Sequence, residues 1–164
     1  MQELQTAAQQ VVDLLLSRKK TLSLAESCTG GMIAAALVDC PGVSAALLEG
    51  CVCYSNEAKM RTLHVLIETL QQFGAVSSQC ALEMVHGICD YTGSDYAIAV
   101  TGIAGPDGGS AEKPVGLVYM AVTDGAQERV ARQVFAGGRT QVRQAAAVYA
   151  LHMLRDMIEE KQGE

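Results

Sequence analysis

The chain has 164 residues, a formal net charge of −6, and is 49% hydrophobic and 18% charged. That length suits one domain with a sizeable core and excludes a globally disordered chain. The acidic balance offers no basic face for a nucleic-acid duplex, and with aromatic residues at 4% the core must be built from Ala, Val, Leu, Ile and Met.

Leu4, Ala7, Ala8, Val11, Val12, Leu14 and Leu15 recur near helical spacing, which predicts a helix over residues 3–17. Its polar opening, MQELQTAAQQ, reads as helix rather than as a secretory leader, and no apolar run reaches the roughly 18 residues of a membrane span. A cytoplasmic setting with no membrane partner and no nucleic-acid partner is expected. TLSLA (21–25) alternates as a short strand, and GGMIAAALVD (30–39) reads as a helix ended by Cys40-Pro41-Gly42. ALLEGCVCYS (46–55) reads as a second strand, followed by short helices over 56–63 and 67–74 and a longer one over 79–91. YAIAV (96–100) reads as a buried strand, and TGIAGPDGGSAEKP (101–114) as a long glycine-rich loop. A strand over 115–122 is joined through Asp124-Gly125 to a partner over 128–135. Thr140 then opens a long final helix. Early helix–strand alternation with a late hairpin predicts one three-layer α/β/α domain over 1–164, with a mixed, mainly parallel sheet.

The six cysteines are Cys28, Cys40, Cys51, Cys53, Cys80 and Cys89. None falls in a CxxC or His/Cys pair with zinc-ligand spacing, so they read as reduced, mostly buried thiols and no metal is expected.

Ligands of such sheets collect at the carboxyl ends of strands. Three polar loops follow strands here: 26–31, 54–59 and 101–114. In the first, AESCTGG, Ser27, Cys28 and Thr29 stand where free N–H groups of a helix start could bind an oxyanion. Each also has an ordinary reading, as helix cap or buried thiol, and the residues alone do not rank them. Glu26 reads equally as a ligand-contacting carboxylate or as first-turn charge. A serine nucleophile needs a base. His64, His86 and His152 lie away from the glycine loops and no G-x-S-x-G elbow is present, which disfavours a Ser–His–Asp triad. Lys59 can replace histidine if burial lowers its pKa, with Tyr54 assisting by hydrogen bonding, although Glu57 and Arg61 beside it equally suit a solvated lysine. In the third loop, Thr101 and the N–H groups of Gly102, Ile103, Ala104 and Gly105 could cradle a phosphate. Arg139 and Arg143, at the start of the last helix, suit an anionic group or plain solvent exposure.

In this order, AESCTGG, YSNEAK, GAVS, TGIAGPDGGSAEKPVG and a late F-x-G-x-R-x-x-V-R closely resemble the CinA C-terminal domain family over about residues 5–158. The family's single-domain members include nicotinamide-nucleotide amidohydrolases. The resemblance therefore implies hydrolysis of nicotinamide mononucleotide to nicotinic acid mononucleotide and ammonia, with no metal or organic cofactor. It places a serine nucleophile on Ser27, a lysine base on Lys59 and an assisting tyrosine on Tyr54. A small-molecule nucleotide would then meet Glu26 near its pyridinium ring, the backbone of Thr29, Gly30 and Gly31, and, through its phosphate, the 101–109 loop with Arg139 and Arg143. A homo-oligomer is also implied. Gly138 departs from the Asp that the family often carries before the late arginine, so the hold on Arg139 is expected to differ. The contrasting expectation is a non-catalytic nucleotide-binding or regulatory module of the competence/damage-inducible type.

Overall fold

Along each strand, side chains alternate between the two faces of the sheet, and in this chain the alternation is one of size. The computed structural model describes residues 1–161. Its elements are α1 (Gln2–Arg18), β1 (Leu22–Glu26), α2 (Met32–Val38), β2 (Leu47–Val52), α3 (Asn56–Leu63), α4 (Ile67–Phe73), α5 (Ser78–Thr92), β3 (Tyr96–Gly102), β4 (Leu117–Thr123), β5 (Glu128–Val134) and α6 (Arg139–Glu160). The strands form one sheet in the order β2-β1-β3-β4-β5. β1 pairs in parallel with β2 and β3, and β4 runs antiparallel to both β3 and β5. Four of the five strands thus share one direction, and the architecture is the expected three-layer α/β/α domain.

Leu22, Leu24, Ile98, Val100, Met120 and Val122 fill one face and pack against α1, α2 and α6. Ala25, Ala97, Ala99 and Ala121 occupy the other face, opposite Met84, Val85 and Ile88 of α5. Alanines let that helix lie close to the strands. The approach continues outward: a Cβ on Gly87 of α5 would stand 2.0 Å from the Leu63 carbonyl oxygen, so only glycine admits the end of α3 there. Cys28, Cys40, Cys53, Cys80 and Cys89 are buried, Cys51 is half-buried, and all six are free thiols.

Several boundaries shift from those read in the sequence, each for a local reason. α2 begins at Met32 rather than at Gly30, because Gly30 and Gly31 take φ of +61° and +89° to make the turn out of β1. The second strand stops at Val52 rather than at 55. The Cys53 amide still donates to the Glu26 carbonyl (2.9 Å), but Ser55 already caps α3, its Oγ accepting the Ala58 amide (3.1 Å). β3 runs on to Gly102 and β4 starts at Leu117, which shortens the glycine-rich connection to 103–116. Antiparallel pairing drives this extension: Gly102 lies opposite Val118, and the Ile103 amide donates to the Leu117 carbonyl (2.8 Å). α6 opens at Arg139, one residue early. No described helix is long and apolar enough to cross a membrane.

Candidate active site

β1 and β3 are adjacent and parallel, so their carboxyl ends deliver Ser27 and Thr101 to one edge of the sheet. The Ser27 amide is held by the Val100 carbonyl (2.9 Å), which fixes the residue at the exit of β1. From α3, the Lys59 side chain runs inward beneath Tyr54 and is only 1% exposed. Its Nζ lies 3.0 Å from Ser27 Oγ, 2.9 Å from the Cys53 carbonyl and 3.1 Å from the Tyr54 carbonyl.

That geometry suits a neutral amine. A neutral Lys59 has two N–H donors, matched by the two carbonyls, and one lone pair, left facing the Ser27 hydroxyl. Burial pushes the Lys59 pKa below its usual value, with the neighbouring Cys80, Cys53 and Cys28 thiols pulling in the opposite direction. Desolvation also drives Cys28 and Cys80 up to about 11, so these thiols stay protonated at neutral pH and place no anion beside the lysine. No carboxylate enters the hydrogen bonds of Lys59. The solvated-lysine alternative is thus excluded by position.

A cavity of about 210 Å³ opens over this pair, walled by Ser27, Cys28, Tyr54, Lys59, Thr101, Gly102 and Ala104 together with Asn56, Ala75 and Val76. The last three carried no role in the sequence reading. The signals for them were the motifs that contain them: YSNEAK carries Asn56, and GAVS brings Ala75 and Val76 to the pocket between α4 and α5. Larger surface grooves of about 410 and 520 Å³ lie between α3 and α5 and between α1 and α6. Their walls include His64 and His86, and His152, but neither groove pairs a hydroxyl nucleophile with a buried base. Among the described residues, no group of three or more His, Cys, Asp or Glu is placed to hold a metal ion.

Several expected ligand contacts are rearranged. Glu26 is 1% exposed, and its carboxylate accepts the amides of Gly31 (3.1 Å), Ile33 (3.2 Å) and Ala34 (2.9 Å). It caps α2, with its charge at the positive end of that helix, and does not reach the cavity. Thr29 is fully buried, and Gly30 and Gly31 form the turn behind the nucleophile; none of the three walls the cavity. Thr101 donates its hydroxyl to the Ala75 carbonyl (2.9 Å) rather than offering it to a phosphate. Ile103 has its amide on Leu117 and its carbonyl on Gly116, so it prolongs the ladder instead of presenting a free donor.

The two arginines divide. Arg139 donates to the Gly105 carbonyl (2.7 Å) and to the exposed Tyr54 hydroxyl (2.8 Å), which ties the glycine-rich loop to the cavity mouth. With Gly138 as N-cap, the α6 start is closed by Gln141, whose side chain accepts the Gly138 amide (2.7 Å). Arg143 turns away from the mouth: Nε donates to the Cys28 carbonyl (3.0 Å) and Nη2 to the Thr29 carbonyl (2.8 Å).

Comparison with known proteins places the chain and its fold. The family model of the CinA C-terminal domain matches residues 4–158. The chain belongs to the CinA C-terminal domain family. It is 47% identical over 145 residues to a CinA-like protein of Kosmotoga olearia, covering 88% of this chain and 35% of that protein. A solved structure of the competence/damage inducible protein CihA from Agrobacterium tumefaciens superposes with a TM-score of 0.92 at 43% identity, covering 96% of each chain. A CinA superfamily protein from Klebsiella pneumoniae gives 0.92 at 37%, covering 96% of this chain and 98% of that one. The chain spans about a third of the length of the curated relatives it matches (34%, 37% and 35%). In this chain the CinA C-terminal fold holds the buried Ser27–Lys59 pair at the carboxyl edge of its sheet.

Proposed function

We propose that this CinA C-terminal domain hydrolyses a carboxamide, namely that of nicotinamide mononucleotide, to nicotinic acid mononucleotide and ammonia. The observation that carries the reading is the buried Lys59 Nζ at 3.0 Å from Ser27 Oγ, with two carbonyls matched to the N–H groups of its neutral form. Lys59 takes the Ser27 proton as Oγ adds to the amide carbon. The charge that develops on the carbonyl oxygen is met by backbone N–H groups of the turn after Ser27. Lys59 then returns the proton to the amide nitrogen, the C–N bond breaks and ammonia leaves. A water gives its proton to Lys59 and adds to the Ser27 ester. When that second adduct collapses, Ser27 recovers its proton and the carboxylate departs.

The cavity's volume of about 210 Å³ suits a flat ring carrying the amide, and Arg139 at its mouth, with guanidinium donors beyond those on Gly105 and Tyr54, suits a phosphate outside it. Tyr54 reaches Arg139 with its hydroxyl and Lys59 with its carbonyl, so it links the chemical pair to the mouth. The test is ammonia release from the mononucleotide by the purified chain, with Ser27→Ala alongside and free nicotinamide and the dinucleotide as comparison amides. Turnover that falls by about 10³-fold or more in Ser27→Ala supports the mechanism. Tight mononucleotide binding in calorimetry without ammonia release points instead to the binding-module alternative.

A further inference from the structure

A turn can stabilise an oxyanion only if its peptides are held in one orientation. Here Ser27 to Gly30 form a tight turn, closed by the Gly30 amide on the Ser27 carbonyl (3.0 Å). The amides of Cys28 and Thr29, at its two central positions, lie outside the helices and strands and donate to no other residue among the described residues. The carbonyls of these same two residues both accept from Arg143 of α6, and the Thr29 carbonyl also accepts the Met32 amide (3.3 Å). A trans peptide points its carbonyl and its N–H in opposite directions. Clamping the Cys28 carbonyl towards α6 therefore fixes the Thr29 N–H away from α6. Ser27 and Cys28 wall the cavity, and Arg143 does not. Gly30 makes the close approach feasible: its φ is +61°, and a Cβ there would stand 3.3 Å from Arg143 Nη2.

We propose that Arg143 is a positioning residue for amide hydrolysis, its guanidinium fork seated on the Thr29 carbonyl and holding the Cys28 carbonyl so that the Thr29 amide of the nucleophile turn faces the developing oxyanion. This rests on the amide-hydrolase reading of the same site. It assigns Arg143 to the transition state rather than to the substrate's phosphate, and it requires the planar fork, which a lysine cannot reproduce. Loss of the fork acts like loss of an oxyanion donor, which costs on the order of 10²-fold in kcat.

The experiment measures ammonia release from nicotinamide mononucleotide and from the phosphate-free riboside, by the wild-type chain, Arg143→Ala and Arg143→Lys. Positioning predicts that kcat falls by about 10²-fold on both substrates in Arg143→Ala while KM stays within about threefold, with Arg143→Lys recovering little. A loss confined to the mononucleotide and carried by KM would make Arg143 a phosphate ligand and overturn the proposal. So would a kcat unchanged within about twofold in Arg143→Ala. A second readout needs no amide substrate: Ser27 Oγ attacks a fluorophosphonate, forming an O–P bond and releasing fluoride. Phosphonylation slowed at least about tenfold in Arg143→Lys, with its thermal midpoint measured alongside and unchanged, sustains the proposal, and equal rates refute it. If the wild-type chain releases no ammonia but is phosphonylated, the substrate reading fails while this arm still decides the role of Arg143.

Discussion

Replacing Lys59 by Met separates the chemical role of the lysine from its structural one. Methionine keeps the length and the packing of the stem and removes the amine. Two effects oppose each other in stability. The buried Cys53 carbonyl and the Tyr54 carbonyl lose their donor, at a cost of about 1 kcal/mol each. Against this, the folded chain no longer has to desolvate an amine whose pKa burial lowers. The sign follows from linkage. Above the ordinary lysine value of 10.5, Lys59 is neutral in folded and unfolded chains alike, and the wild-type chain has its full advantage of about 2 kcal/mol. As pH falls below that value, the unfolded chain binds a proton that the folded chain does not. Wild-type stability then declines, relative to Lys59→Met, by at most about 1.4 kcal/mol per pH unit until the folded lysine also protonates. The assay is urea unfolding of both chains from about pH 7 to about pH 10, with the stability difference plotted against pH. Ammonia release should meanwhile fall by about 10³-fold or more. A stability difference that stays flat across this range, or turnover within about tenfold of wild type, would refute the buried-base argument.

Three further outcomes follow from single contacts. Glu26→Gln leaves one acceptor oxygen for three amides at the start of α2 and removes the charge at that helix end, so the thermal midpoint should drop by the equivalent of about 1–2 kcal/mol. The KM for the mononucleotide should hold, and a large rise in KM with unchanged stability would return Glu26 to the binding site. Gly87→Ala drives a Cβ into the Leu63 carbonyl at the end of α3, costing about 1–3 kcal/mol by chemical denaturation and lowering turnover, because α3 carries Lys59. Arg139→Ala should raise KM for the mononucleotide about tenfold or more and leave the riboside little affected; equal losses on both would show that Arg139 acts through Tyr54 rather than on phosphate.

Local chemistry made the element types legible, because helical and strand periodicity depend on near neighbours: α1, α5, β3 and the β4–β5 hairpin lie where spacing and the Asp124-Gly125 turn put them. It also made legible the cluster of hydroxyl and thiol groups after β1 and the shortage of a histidine base. What it could not reach was the environment of charged side chains. NEAKMR reads as a short helix whose Lys59 suits a base or a solvated lysine equally, and only the crossover that packs α3 on α5 buries Lys59 against Cys53 and Ser27. Glu26 and Arg143 read as ligand contacts or as plain surface charge for the same reason in reverse. Their partners are backbone amides and carbonyls, which every sequence contains and no residue pattern marks, and which the turn at Gly30 and Gly31 and the docking of α6 bring within reach. The sequence by itself determined which reactive groups this domain owns. Tertiary structure decided which of them are desolvated and what each one faces, because both depend on chain segments far apart in sequence meeting at one sheet edge.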